Sequence, residues 1–245
     1  NVAKTKGALF ESLSKGVAFV NVADNQVTKL KIFGDKVTFG LTPDCDYPTD
    51  LHHEKDGTIT LTINAQEVPT NSTNLSFAKN IIACAAIAQE LGLEWDAIID
   101  RIKTFISPKG RCEIKNNGEL IIIDDTYNAN LESTIAAINY LKAFSGDGKR
   151  IFVFGDMLEL GESSITQHQA IGEKCNDSRI DAVLTIGTET IATDGALLDI
   201  GFHRHFNKKD DLLKSLNEIV KDGDKVLVKG SRGMRMETIV EGMLI

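Results

Sequence analysis

From about residue 119 onward, short apolar runs alternate with longer amphipathic stretches. The pattern predicts strands near 119–124, 150–155, 181–186, 203–206 and 225–229. Between and after them it predicts helices near 131–144, 164–176, 188–199, 208–221 and 234–244. Ile121 to Ile123 form an unbroken branched run, as suits a strand buried on both faces. Strand and helix in regular succession predict βαβ units on a mostly parallel, three-layer sheet: a Rossmann-like α/β domain. The first part of the chain reads differently. Residues 1–14 read as a helix with Leu9, Phe10 and Leu13 on one face, and residues 18–22, 36–40 and 58–64 read as strands. Thr58 to Ile63 alternate with period two, so one face of that strand is expected to be wet. Residues 41–57, with Pro43, Pro48 and several acids, read as a surface loop or an irregular edge. Helices follow at 77–91, stopped by Gly92, and at 95–105. Pro108-Lys109-Gly110-Arg111 breaks the pattern and sets a boundary, giving domains 1–109 and 110–245.

Composition narrows the classes. The 245 residues are 42% hydrophobic and 25% charged, ordinary for a globular protein. A formal net charge of −8 argues against a nucleic-acid binder, which usually shows a basic stripe. No apolar run is long enough for a membrane span. Cys45, Cys84, Cys112 and Cys175 show no metal-ligand spacing, and reduced thiols in a cytoplasmic protein account for them. Cys84 falls in an apolar helical run and is expected in the core. No G-x-G-x-x-G follows any predicted strand, so a dinucleotide site is not expected.

Three strand ends carry dense polar chemistry. Ile121-Ile122-Ile123 runs into Asp124-Asp125-Thr126-Tyr127-Asn128-Ala129-Asn130. Phe152-Val153-Phe154 runs into Gly155-Asp156-Met157-Leu158-Glu159-Leu160-Gly161. Val226-Leu227-Val228 runs into Lys229-Gly230-Ser231-Arg232-Gly233-Met234-Arg235. Ligands of open α/β sheets bind beyond the carboxyl ends of strands, so these ends form a candidate site. Any one of them alone would read as an Asx-rich turn.

Together the motifs D-D-T-Y-N-A-N, F-G-D-M-L-E-L-G and K-G-S-R-G-M-R-M-E resemble the Mur ligase family, over nearly the whole chain from Ala3. The nearest type adds D-alanyl-D-alanine to UDP-N-acetylmuramoyl-tripeptide. The resemblance implies the distal part of a central ATP-binding domain over 1–109, then a Rossmann-like carboxyl-terminal ligase domain over 110–245. It implies ATP and Mg²⁺ as cofactors. It implies small-molecule substrates, an acyl-phosphate intermediate, and a cytoplasmic place in peptidoglycan precursor synthesis.

By the same resemblance, Lys6 is the helix lysine that carbamylation turns into an anion able to help hold Mg²⁺. Alone it would read as a solvated charge. Asn80 is implied to read adenine, although Ser76-Phe77 stands where the family usually has His-Asn. Arg111, in Gly110-Arg111-Cys112-Glu113, is implied to reach ATP phosphates with its planar donors. Asp125 is implied to accept from the ribose hydroxyls, with Asp124 supporting it and Tyr127 covering adenine or ribose. Asn128 and Asn130 are implied to orient the acyl substrate or the amine in a cleft between the domains. His168 is implied as a catalytic group near that cleft, with Asp156 and Glu159 on the substrate. Lys229, Ser231 and Arg232 are implied to grip a substrate carboxylate. His203 and His205 receive no role.

The chain opens on Asn1 within a helical pattern and holds no G-x-x-x-x-G-K-T/S loop. It is therefore read as part of a larger protein, and alone is expected not to ligate. Two other readings remain: another Mur-type or folylpolyglutamate-type ligase, and a non-catalytic nucleotide-binding module.

Overall fold

The computed structural model describes residues 2–13, 15–54, 58–72, 74–106, 108–144 and 146–244, with only the backbone of residues 2–4 and 6. The chain divides into two compact units, Asn1–Phe105 and Ile106–Ile245. The division falls a few residues before Pro108.

The first unit runs α1 (Val2–Glu11), β1 (Val17–Asn21), β2 (Asp35–Gly40), β3 (Tyr47–His53), β4 (Ile59–Ile63), β5 (Gln66–Pro69), α2 (Leu75–Glu90) and α3 (Trp95–Lys103). Its sheet has the order β1-β2-β3-β4-β5. The first three strands are parallel, and the last two add as antiparallel neighbours. Ile59, Leu61 and Ile63 alternate inward and pack with Ile81, Ile82, Ala85 and Ala86 of α2. Asn64 and Ala65 make the two-residue turn between β4 and β5, both at positive φ, as a primed hairpin turn requires.

Two expectations fail here. Residues 47–53 form a strand, not a loop. Tyr47 and Thr49 face inward, and a threonine in the second inward slot breaks the hydrocarbon pattern that marks a strand. Pro48, near the start of the strand, donates nothing, and its carbonyl accepts the Asn64 N–H at 2.8 Å. Cys84 is exposed, not core. The buried stripe of α2 is Ala78, Ile81, Ile82, Ala85 and Ala86, and Cys84 falls on the far side of the helix.

The second unit runs β6 (Glu113–Asn117), β7 (Leu120–Asp125), α4 (Leu131–Ala143), β8 (Arg150–Gly155), α5 (Ser164–Asn176), β9 (Ala182–Ile186), α6 (Ile191–Gly195), β10 (Phe202–Phe206), α7 (Lys209–Ile219), β11 (Lys225–Lys229) and α8 (Glu237–Met243). The sheet order is β10-β9-β8-β11-β7-β6. Every pair is parallel except the β6–β7 hairpin. This is the expected mostly parallel α/β sheet, with β6 as an unforeseen edge. Glu113, Lys115, Asn116 and Asn117 leave β6 with no apolar signature. Helix α6 is shorter than the span 188–199 read from the sequence.

Alternation sorts the core into two layers. Ile122, Ile151, Val153, Val226 and Val228 face one side with Leu212, Leu216, Ile239 and Val240 of α7 and α8. Ile123, Phe152, Phe154 and Leu227 face the other with Ile138 and Leu141 of α4 and Ile171 of α5. Strand β11 lies between β8 and β7, yet its helix goes to the opposite face from theirs. The chains leaving β7, β8 and β11 therefore diverge and open a crevice beyond their carboxyl ends.

Candidate active site

Two neighbouring carboxylates end β7, and the period of the strand sends them to opposite faces. Asp124 is buried. It takes the Lys115 ammonium at 2.6 Å, the Thr126 hydroxyl at 2.7 Å and the Thr126 N–H at 3.3 Å. Burial works against the Lys115 charge, but the Asp124 hydrogen bond and charge, then Glu113, outweigh it and raise its pKa. Asp125 faces β11, where the parallel register sets Lys229 opposite it. Lys229 Nζ reaches Asp125 Oδ2 at 2.5 Å and the Asn128 carbonyl at 3.0 Å. The other Asp125 oxygen accepts the Cys112 N–H at 3.1 Å. The Lys229 side chain is 2% exposed and that of Asp125 13%.

The segment before β6 lies against this strand end. The Gly110 carbonyl accepts the Tyr127 N–H at 2.9 Å. Gly110 sits at φ +70, and a Cβ there would crowd Thr126 Oγ1 and the Tyr127 nitrogen. Cys112 also has positive φ. The turn between them puts the Arg111 guanidinium 4.1 Å from the centre of the Tyr127 ring. The Arg232 guanidinium, from the loop after β11, lies 6.0 Å from the same centre. Tyr127 is 46% exposed. A half-open aromatic ring thus has two guanidiniums near it, two residues along the chain from the Asp125 carboxylate: a surface suited to a flat, anionic ligand.

The loop after β8 is held from three sides. The buried Asp156 carboxylate accepts the N–H groups of Thr188, Glu189 and Thr190 at 2.9–3.1 Å, tying it to the loop after β9. A Cβ on Gly187 would overlap that carboxylate, so the approach needs glycine. Ser231 Oγ accepts the Leu158 N–H at 2.8 Å, and the Ser231 N–H donates to the Asp156 carbonyl at 3.0 Å. His168 is fully buried. Its Nε2 accepts the Met157 N–H at 3.0 Å, and its Nδ1 lies 2.8 Å from the Ser164 carbonyl. Glu159 is exposed, at φ +64.

These placements revise several sequence-based roles. His168 has no ring nitrogen free for chemistry, because both are engaged inside the core. Asp156 spends its oxygens on backbone amides and is not open to a substrate. Lys229 is buried against Asp125 and does not face solvent to grip a carboxylate. Ser231 is likewise buried and bonds the neighbouring loop. Asn130 caps α4: its Oδ1 accepts the Ser133 N–H at 2.8 Å, while Ser133 Oγ accepts the Asn130 N–H at 3.2 Å. Asn128 is exposed and contributes its carbonyl to Lys229. Arg111, Asp125, Tyr127 and Arg232 gather at one end of the sheet, with Glu159 exposed on the loop after β8. Asn80 lies in the other unit, exposed in the second turn of α2, whose cap is Asn74. Lys6 lies in α1, and its side chain is outside the described residues.

Sequence reasoning missed Lys115, Thr126, Gly187, Ser164 and Glu189. Thr126 stood inside the D-D-T-Y-N-A-N motif with no role of its own, and Gly187 left a trace as a glycine directly after the predicted strand at 181–186.

Fold and strand-end geometry define a mostly parallel α/β domain whose aromatic, cationic and acidic strand-end residues gather where the helical crossovers change face. A family model described as Mur ligase, glutamate ligase domain, matches residues 110–232. The chain belongs to the Mur ligase family. A UDP-N-acetylmuramoyl-tripeptide–D-alanyl-D-alanine ligase of Haemophilus influenzae is 30% identical over 98% of this chain and 54% of that protein. The Bacillus subtilis ligase of the same name is 40% identical over 54% of this chain and 29% of that protein. Among solved structures, MurF from Acinetobacter baumannii superposes with a TM-score of 0.86 at 22% identity, covering 99% of this chain and 55% of that one. The MurF ligase of Thermotoga maritima in complex with ADP gives 0.83 at 25% identity, over 99% and 56%. The chain spans about half the length of the Haemophilus relative.

Proposed function

We propose that this chain carries the distal nucleotide-binding and substrate-binding residues of an ATP-dependent amide ligase. The reaction joins D-alanyl-D-alanine to UDP-N-acetylmuramoyl-tripeptide, in the cytoplasm, by way of an acyl phosphate. The observation that carries the reading is the half-open Tyr127 ring with the Arg111 and Arg232 guanidiniums 4.1 and 6.0 Å from its centre, two residues along the chain from Asp125. The Haemophilus relative's name and the ADP complex of the Thermotoga neighbour support it.

In this reading ATP supplies the phosphoryl group that activates a carboxylate. The residues of the chain do the holding. Tyr127 offers a ring face to the base or ribose. Asp125 keeps lone pairs beyond those used by Lys229 and Cys112, and its partial exposure leaves them for ribose hydroxyls. Arg111 and Arg232 meet phosphate or carboxylate oxygens with forked donors. Glu159 presents an exposed carboxylate toward an incoming amine. Among the described residues no group of His, Cys, Asp or Glu is arranged to hold a metal. No step is therefore assigned to Mg²⁺ through them, and a Lys6 carbamate stays part of the proposal alone.

The test is ADP binding to this chain, followed by amide and side-chain resonances. ADP is expected to shift Tyr127, Arg111 and Asp125. Arg111→Ala is expected to weaken binding about tenfold or more, the worth of a charge-assisted hydrogen bond. Saturation by ADP without any shift near Tyr127 would overturn the assignment.

A further inference from the structure

The loop after β8 is closed into a ring of hydrogen bonds that no ligand role explains. Asp156 accepts the amides of Thr188 to Thr190. The Glu189 carboxylate accepts the Ser164 hydroxyl at 2.5 Å. The Ser164 carbonyl lies 2.8 Å from His168 Nδ1, and His168 Nε2 accepts the N–H of Met157, the neighbour of Asp156. A carbonyl can only accept, so Nδ1 carries the proton. A backbone N–H can only donate, so Nε2 is bare. The ring thus dictates one neutral tautomer. Thr193 Oγ1 donates to the His168 carbonyl at 2.9 Å, and the imidazole lies 5.9 Å from the Phe154 ring, centre to centre.

We propose that His168 is a positioning residue. As the neutral Nδ1–H tautomer, it locks the turn at 156–160 so that Glu159 stands out from the strand ends. The inference deepens the ligase reading and rests on it for the purpose of Glu159: an exposed carboxylate for the amine of a zwitterionic substrate. Positive φ at Glu159 argues for a held loop. A non-glycine residue in the left-handed region persists where its surroundings over-determine it. Ser231 adds the third tether through the Leu158 N–H.

The experiment needs no ligand. In the native chain, ¹⁵N resonances of His168 are expected to show a protonated Nδ1 and a bare Nε2 at neutral pH. The opposite tautomer overturns the proposal without any variant. Amide exchange gives the second readout. His168→Phe fills the site beside Phe154 but bonds nothing. It is expected to speed exchange at Met157 and Leu158 roughly tenfold while Phe152 in β8 keeps its protection. His168→Gln can accept at one atom and donate at another, and is expected to restore most of that protection. Exchange unchanged in His168→Phe, or equally fast in His168→Gln, overturns the proposal. Titration with D-alanyl-D-alanine tests the ligase reading separately, because tautomer and exchange are both read with no substrate present.

Discussion

Lys229 ends β11 with its ammonium inside the protein, and Asp125 is its counter-charge. Removing one member of a buried pair strands the other, at about 3–5 kcal/mol. Lys229→Met is therefore expected to lower stability by about that amount. Adding Asp125→Asn is expected to recover most of it, and denaturant melts of the single and double variants check this. Tyr47 gives a second expectation. Burial, then its hydrogen bond to Glu90 at 2.9 Å, pushes its phenol up to about 12. The folded value lies above the ordinary one near 10, so this contribution is whole below pH 10 and is lost as pH rises through 12. Tyrosinate absorbance should show a late step that Tyr47→Phe removes. At this scale the sequence was legible in place but not in role. D-D-T-Y-N-A-N and its two companions mark the loops where polar groups converge, because an apolar strand ending in polar residues is a local pattern. Which side chain would be spent on which partner was not legible. The Lys229–Asp125 and Asp156–Thr190 contacts depend on which strands are neighbours, and that is a property of the whole sheet. The Asn130–Ser133 cap is a local pattern, and it occupies the Asn130 side chain that the family resemblance assigns to a ligand.

Elements were read well where apolar residues ran long, and poorly where a strand was short, polar or at an edge. Strands β7, β8, β9 and β11 are buried on both faces and announce themselves. Strand β3 hides behind Thr49, β5 has four residues, and β6 has one apolar residue. The β4–β5 turn offers an element-scale test. Ala65 holds φ +64, a left-handed conformation that costs an L-residue about 1 kcal/mol and glycine almost nothing. Ala65→Gly is expected to stabilise the chain by about 0.5 kcal/mol, the steric gain less the extra freedom of the unfolded glycine. A fall in the melting temperature would refute it.

On the scale of the molecule, Ile106–Ile245 carries both of its apolar layers within itself, one on each face of the six-stranded sheet. That is an ordinary domain size with a complete core. Expressed alone, residues 106–245 are expected to fold and to melt in one cooperative transition by circular dichroism. A featureless, non-cooperative melt would show that the unit depends on the rest of the chain. The layered α/β plan was legible in the βαβ rhythm, while the strand order was not, since β11 reaches its place between β8 and β7 from the end of the sequence. The same order leaves β10 outermost, with hydrogen-bonding groups turned away from β9. Such a border invites strands of other molecules to lengthen the sheet. Here it bears Arg204, exposed and laid toward the Phe206 ring, and His203, paired with Asp194. A solvated arginine at that rim works against edge-to-edge pairing of one sheet with another, a task separate from the strand-end site.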